Sequence, residues 1–544
     1  MEKISLYYLL ITIMFCATGC SDRKEGIGTN ASENRTVFFI DSNRGNDSND
    51  GLSPQSAWKT LGKVSRKVLL PGDTVLLCKG CTFYETLRLH GGGTEEHPII
   101  VSAYDSGNGI TNPPVIDAKG YFAAVQIENG TNIEISNLEL TANGGTPLES
   151  KADIARYGVF ISATNPGKYP NLRLKKLKIH HIFATENVES NGQNSTSNMG
   201  MGIGVTMKGT NAIIENVHIE DCTIEMTGHT GIQISGKSPA SLMDGVTIIN
   251  NRLIHIGGPG IVTLRCQNVL VCENVIDHCG SSADPRMHAR GSGIWPGISN
   301  DVLIEKNEIM HARGKNDACG VHIDANCKNV VVQYNLSLDN EGGFVEILGN
   351  NHNCAYRYNV SINDGFRIKG VNKAQNDGKI IWTTGIGGGD TRGPFNSYIY
   401  NNTIFVKEGG RSCFSFTGTT EGILIANNIF HLLGETLYIP EEAVGTIQNV
   451  VFTNNLYPHA AVLPEDFPIN DNNPYIGDPE FINPGGDDPQ DYVPVNSMLV
   501  KDKGVRIEKL PGDEIGLTIG LEVDLDYFGH PIKNLADIGA IEIQ

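Results

Sequence analysis

Past its first twenty residues the chain has no apolar run long enough to cross a bilayer as a helix. Basic charge is also short: 42 Lys and Arg stand against 61 Asp and Glu, for a formal charge of -19. Phosphate binding needs a concentrated basic face, so no nucleic-acid partner is expected. Cysteine is present without forming a framework: of twelve, Cys16 and Cys20 lie in the first twenty residues and the other ten are scattered. Cys78-Lys-Gly-Cys81 has the CxxC spacing, but no second such pair or nearby histidine pair completes a zinc site. It reads as a local disulfide or two thiols, while Cys222, Cys266, Cys272, Cys279, Cys319 and Cys327 read as small core residues. No catalytic triad, phosphate loop or HExxH motif is evident.

What the chain has is a repeat. An asparagine followed by short apolar residues returns at Asn251, Asn274, Asn307, Asn335, Asn359, Asn402, Asn428 and Asn455, mostly at intervals of 23 to 33 residues. The apolar segments are short, β-branched and separated by Asn, Asp and Gly, which is a strand-rich pattern. Repetition at this period means one supersecondary unit stacked on itself. Parallel strands cannot be joined by hairpins, and three short strands per coil with their turns use roughly 20 to 30 residues. An Asn at the same turn of successive coils can bond the Asn above and below it and satisfy partly buried turn backbone. The repeat is therefore structural, not catalytic.

The first twenty residues have the shape of an export signal: Lys3, an apolar run through Phe15, then Ala17-Thr18-Gly19-Cys20. Small residues directly before a cysteine resemble the bacterial lipoprotein processing site, although Ala17 stands where leucine is usual. That resemblance implies a signal peptide over 1–19, lipidation of Cys20, a polar tether over 20–36 and a place on the outer membrane or cell surface. Periplasmic or secreted placement is the alternative. Acyl chains at ~0.8 kcal/mol per buried methylene would make the membrane a partner.

Val37 to Ile40 reads as a strand, Trp58 to Val68 has helical spacing and Pro71-Gly72-Asp73 is a turn into another strand. A short helix there would cap the first coil. Asp41, Asp47 and Asp50 could hold calcium, but their spacing does not match an EF-hand, and no cofactor or metal is assigned. The head (Asn46-Asp47-Ser48-Asn49-Asp50-Gly51, Trp58-Lys59-Thr60-Leu61, Pro71-Gly72-Asp73) resembles the start of right-handed parallel β-helix proteins of the pectate-lyase-like superfamily. The end is similar too, through Gly477-Asp478-Pro479-Glu480-Phe481, Asp491-Tyr492, Phe528-Gly529-His530-Pro531 and Asp537 to Glu542. The resemblance implies an all-β fold, a right-handed single-stranded parallel β-helix with an N-terminal capping helix. The helix would occupy 37–457, with a C-terminal cap over 458–544.

Superposing coils on the ladder asparagines aligns an upstream strand in which apolar residues alternate with others. Its outward column reads Gln233, Arg265, Trp295, His322, Glu346 and Arg367, with Asp324 and Lys369 two residues further on. Parallel strands lie ~4.8 Å apart and rise ~3.3 Å per residue, which makes His322 and Glu346 neighbours and separates Asp324 from Glu346 by about 8 Å. An inverting glycosidase pair needs ~6.5 to 9.5 Å. Nearby loops add His278, Arg286, His288, Arg290, His311, Arg313 and Lys315, with Asp317, Asp339 and Glu341, a basic cluster that opposes the global charge and suggests an anionic ligand.

Two mechanisms compete, and the first is placed slightly ahead for its cations. In β-elimination on a uronate, Arg265, Arg313 or Arg367 would neutralise the carboxylate and His322, Lys369 or an arginine would remove the adjacent proton. In hydrolysis, Glu346 and Asp324 would act as acid and base. His322, Asp324, Glu346 and Arg367 are the catalytic candidates; Arg265, Trp295 as a sugar platform, Arg313, His311, Lys369 and Arg290 are the substrate-binding candidates. A monomer acting on a polysaccharide or oligosaccharide is expected. A non-catalytic glycan-binding or adhesive solenoid is the third reading, because fold alone does not establish function.

Overall fold

The computed structural model describes residues 35–107, 109–150, 154–185, 200–386, 392–417, 419–440, 447–460 and 462–544. The signal, Cys20 and nearly all of the tether lie outside them. Among the described residues, every pair of consecutive sheet neighbours is parallel. Two sheets of 14 strands run the length of the molecule, one from Val37–Ile40 to Gln448–Thr453 and the other from Thr82–Phe83 to Tyr475–Ile476. A third face is split into eight strands ending at Ile294–Gly297 and four beginning at Gly343–Ile347. Successive strands of each face come from successive passes of the chain, so the molecule is a parallel β-helix.

The interior is stacked in columns. Val217, Val246, Val269, Val302 and Val330 occupy one register position of the first sheet and are all buried. β-branched side chains suit this pleated, fully covered environment, and each contributes about 1.5 to 3 kcal/mol on burial.

The corner from first to second sheet is tight and explains the repeat. The residue before each ladder asparagine, from Asn250 through Glu273, Lys306, Tyr334, Tyr358, Asn401 and Asn427 to Asn454, has a positive φ of 50° to 61° that bends the chain. The Asn behind it satisfies the bend. Asn307 Oδ1 accepts from both the backbone N–H and the amide of Asn274 at 2.9 Å, and its own amide donates to Val271 O, Glu305 O and Asn335 Oδ1. The chain of bonds continues to Asn455, which is closed by Asp471.

At the head, the expected helix over 58–68 is a single turn, Gly62–Ser65. Trp58 is instead bridged to Ile40 and stacked on Phe38, and Val68–Leu69 is a strand paired with His90 and Gly91. Asp50 accepts from the Leu52 N–H and the Ser56 hydroxyl, and Asp47 from the Lys59 N–H and the Thr60 hydroxyl.

The C-terminal residues cover later coils of the first two sheets. Leu510 and Leu517 pack beside Tyr358, Tyr398 and Tyr400, while Phe481, Tyr492, Val500 and Ile538 pack with Leu336, Val360 and Phe405. Phe467 packs against Phe414, Phe416 and Tyr438 of the last third-face strands, and long connections such as 280–293, 311–318 and 363–378 lead into that face.

Candidate active site

Where the third face is split, residues 319–324 bridge its two halves. Isolated bridges join Ile294 to Val321, Cys319 to Gly343 and Ile323 to Ile347, and the N–H groups of His322 and Asp324 donate to Ile294 O and Pro296 O. The segment is therefore held as a strand, with His322 between Trp295 on one coil and Glu346 on the next. Gly297 makes room for Asp324: a Cβ there would lie 3.3 Å from Asp324 Oδ2 and 3.2 Å from Leu264 Cδ1.

The imidazole of His322 stacks on Trp295 with centroids 5.8 Å apart and an interplanar angle of 16°. Its Nε2 lies 4.0 Å from Asp324 Oδ1 and 3.8 Å from Glu346 Oε1, and neither ring nitrogen has a hydrogen-bond partner among the described residues. The two carboxyl oxygens are thus no farther apart than those two distances laid end to end. A third acid completes the group: Asp317, held by Arg290 Nε at 2.8 Å on Oδ2. Beneath, Cys319 Sγ donates to Glu346 Oε2.

Burial alone would lower the His322 imidazole, but Glu346, Asp324 and Asp317 outweigh it and raise its proton affinity. Burial pushes the Glu346 carboxyl upward, His322 offsets only part, and Asp317 adds to the rise. Burial would raise Asp317 too, yet His322, Arg290 and Arg367 together hold it below the ordinary carboxylate range. The cluster therefore combines a carboxyl of raised proton affinity at Glu346, an imidazole whose proton affinity its acids raise, and a carboxyl held below the ordinary range at Asp317. Such divergence among neighbouring groups is a common arrangement for acid–base chemistry.

Two members of the sequence column do not stand in it. Val262, not Arg265, pairs with Trp295; Arg265 follows the strand at the corner with φ 58°. Trp382, not Arg367, pairs with Glu346, because the insertion 363–378 precedes the third-face strand Lys379–Thr383. Arg367 still reaches the site from its loop, donating to Gly314 O, Asp317 O and Asn376. Lys369 is exposed in that loop. Arg313 pairs with Asp339 at 2.5 Å and lies over Phe366. His311 belongs to a different group, bonded to Asp277. Arg290 and Trp295 flank the cluster.

Asp317, expected among the loop acids, and Cys319, expected as a small core residue, both belong to the cluster. Lys379, whose Nζ lies 3.7 Å from the Trp382 ring centroid, and His229, 4.7 Å from His288 with the rings tilted by 47°, have no place among the expected site residues. Burial, with His288 and Arg290 beside it, depresses His229 to about 3. Asp317 lies on the same local segment as His322 and Asp324, a signal available in the sequence.

A family model described as the right handed beta helix region matches residues 201–404. Lacto-N-biosidase of Bifidobacterium longum subsp. longum is 24% identical over 503 residues, covering 76% of this chain and 30% of that protein. Alpha-1,3-galactosidase A of Akkermansia muciniphila is 30% identical over 95 residues, 17% of this chain and 16% of the relative. The chain thus spans less than a third of the length of either relative. Among solved structures, a GH136 lacto-N-biosidase from Eubacterium ramulus superposes with a TM-score of 0.52 at 24% identity, covering 76% of this chain and 67% of that one. With the stacked parallel sheets, these likenesses identify the chain as a right-handed parallel β-helix protein.

Proposed function

We propose that this chain hydrolyses glycosidic bonds in an oligosaccharide or polysaccharide bound along the third face. The observation that carries the reading is the gathering of Asp317, Asp324 and Glu346 around His322. Glycosidases need two carboxyl groups across the scissile bond, one protonating the leaving oxygen and the other acting as nucleophile or activating water. Asp317 and Asp324 have side chains 29% and 34% exposed, against 3% for Glu346, so the two aspartates are the pair that can touch a sugar. Glu346 and His322 lie behind them as positioning groups. The likeness to proteins named lacto-N-biosidase and alpha-1,3-galactosidase supports hydrolysis.

β-Elimination loses support because Arg265 stands outside the column, at the corner after its strand, and the arginines nearest the cluster are engaged. Arg313 is paired with Asp339, Arg290 with Asp317, and Arg367 with backbone carbonyls and Asn376. Neutralising a uronate would require breaking these contacts.

The test incubates the purified chain with a panel of neutral and uronate-containing glycans, following reducing ends and near-ultraviolet absorbance together. Hydrolysis releases reducing ends without a new absorbance. Asp317→Asn and Asp324→Asn are each expected to lower kcat by about 10²- to 10⁴-fold. Unsaturated products would replace this reading with the lyase. Binding without turnover, unchanged in both variants, would make the protein a glycan-binding solenoid.

A further inference from the structure

A second cluster lies at the corner between the second and third sheets, away from the His322 column. His255, His278 and His311 occupy equivalent positions on successive coils, with positive φ values of 51°, 59° and 55°. Their rings follow one another with centroids 4.8 Å apart at each step, tilted by 48° and 36°. Asp277 stands beside them, and its Oδ1 lies 2.6 Å from His278 Nδ1 and 2.8 Å from His311 Nδ1. One ligand atom each from Asp277, His278 and His311 falls within 4.8 Å of the others. The third imidazole, His255, has a buried Nδ1 with no hydrogen-bond partner among the described residues.

We propose that Asp277, His278 and His311 bind a divalent first-row transition ion of the zinc type. Two imidazole nitrogens and one carboxylate are a donor set that such ions favour over calcium or magnesium, which prefer all-oxygen sites. Tetrahedral zinc at ~2.0 to 2.1 Å from nitrogen places donor atoms about 3.3 Å apart, so these side chains need only small movements to admit an ion. Binding would replace the protons that the two imidazoles now share with Asp277. The side chains of His278, His311 and Asp277 are 43%, 33% and 22% exposed, which leaves a path for the ion and room for water as a fourth ligand.

The position gives the ion a structural consequence. His278 stands one residue before the connection 280–293 that carries Arg290, and His311 opens the connection 311–318 that carries Asp317. Those two residues are joined by the 2.8 Å ion pair at the candidate active site. An ion held at the roots of both connections would limit their independent movement. The metal site does not depend on the hydrolase reading.

The chain also holds Asp41, Cys78 and Cys81 together, so the test must separate the two groups. Tag-free, metal-stripped protein is titrated with Zn²⁺ by calorimetry and with Co²⁺ by visible absorption, alongside His278→Ala/His311→Ala and Cys78→Ser/Cys81→Ser double variants. Circular dichroism establishes that each variant is folded, and Asp277→Asn serves as the milder substitution if the double alanine variant is not. The expected result is one ion per chain at the histidine site, retained by the serine variant and weakened by roughly 100-fold in the histidine or Asp277 variant. No binding by the wild type, or binding unchanged by the histidine-site substitutions, would overturn the proposal.

Discussion

The thiol of Cys319 donates to Oε2 of Glu346 across 2.9 Å, joining two coils beneath the acids that face solvent. Both residues are buried, so the carboxyl has little water to support its charge. The thiol bond favours the ionised form of Glu346, but burial outweighs it and the proton affinity rises.

Glu346 should leave a signature in stability against pH. Its native pKa lies above the unfolded value of about 4.3, so the folded state binds more protons in the interval between them. Its stabilising contribution is fully present below the unfolded value and is lost as pH rises through the native one. Urea midpoints of the wild type should therefore fall relative to those of Glu346→Gln as pH is raised from about 4. Cys319→Ala, lacking the bond that favours ionisation, should extend the fall to higher pH. Parallel curves for all three proteins would remove this account.

Asn335→Ala should weaken the whole helix. It strips Asn307 of the oxygen that accepts its backbone and amide N–H, and it frees the carbonyls of Ile304 and Gln333. These groups are buried, and unsatisfied ones cost about 1 to 3 kcal/mol each before relaxation. A loss of about 3 kcal/mol is expected in denaturant unfolding. An unchanged midpoint would show that the ladder is not a stabilising element.

Asp364→Asn should stabilise the protein in neutral to alkaline solution. Burial raises Asp364 to about 7, although Ser337, Ser361 and Asn340 favour its charge. Its native proton affinity exceeds the unfolded one, so the wild type loses stability as pH climbs from about 4 toward 7. An asparagine Oδ1 can still accept from Asn340 N–H, and the Ser361 hydroxyl can turn to accept from the amide. Thermal midpoints at pH 5 and 8 would check this: the variant should gain on the wild type at the higher value.

The coil and much of the site's neighbourhood were legible in sequence because both follow short-range rules. A β-branched alternation selects a strand, and an asparagine at a recurrent bend satisfies its backbone. Adjacency of His322 and Glu346 followed from the same ruler. Arg265 and Arg367 were misplaced because a ladder at one corner measures coil length without saying at which corner extra residues enter. The residues of 363–378 enter before the third-face strand, which substitutes Trp382 for Arg367 beside Glu346. The helix at the head was overread because helical spacing over 58–68 competes with a bridge to Ile40, and the bridge prevails.

By itself the sequence determined a stacked parallel-strand architecture, its asparagine-bonded corner and the stretch of coils where charge and histidine concentrate. Each depends on local periodicity. Only the tertiary structure decided that Asp317 joins His322, that Cys319 faces Glu346, that Arg313 and Arg367 are already engaged, and that His278 and His311 meet at Asp277. Those relations depend on the path of irregular connections and on burial. Electrostatic interactions vary steeply with both distance and solvation, while linear spacing specifies neither.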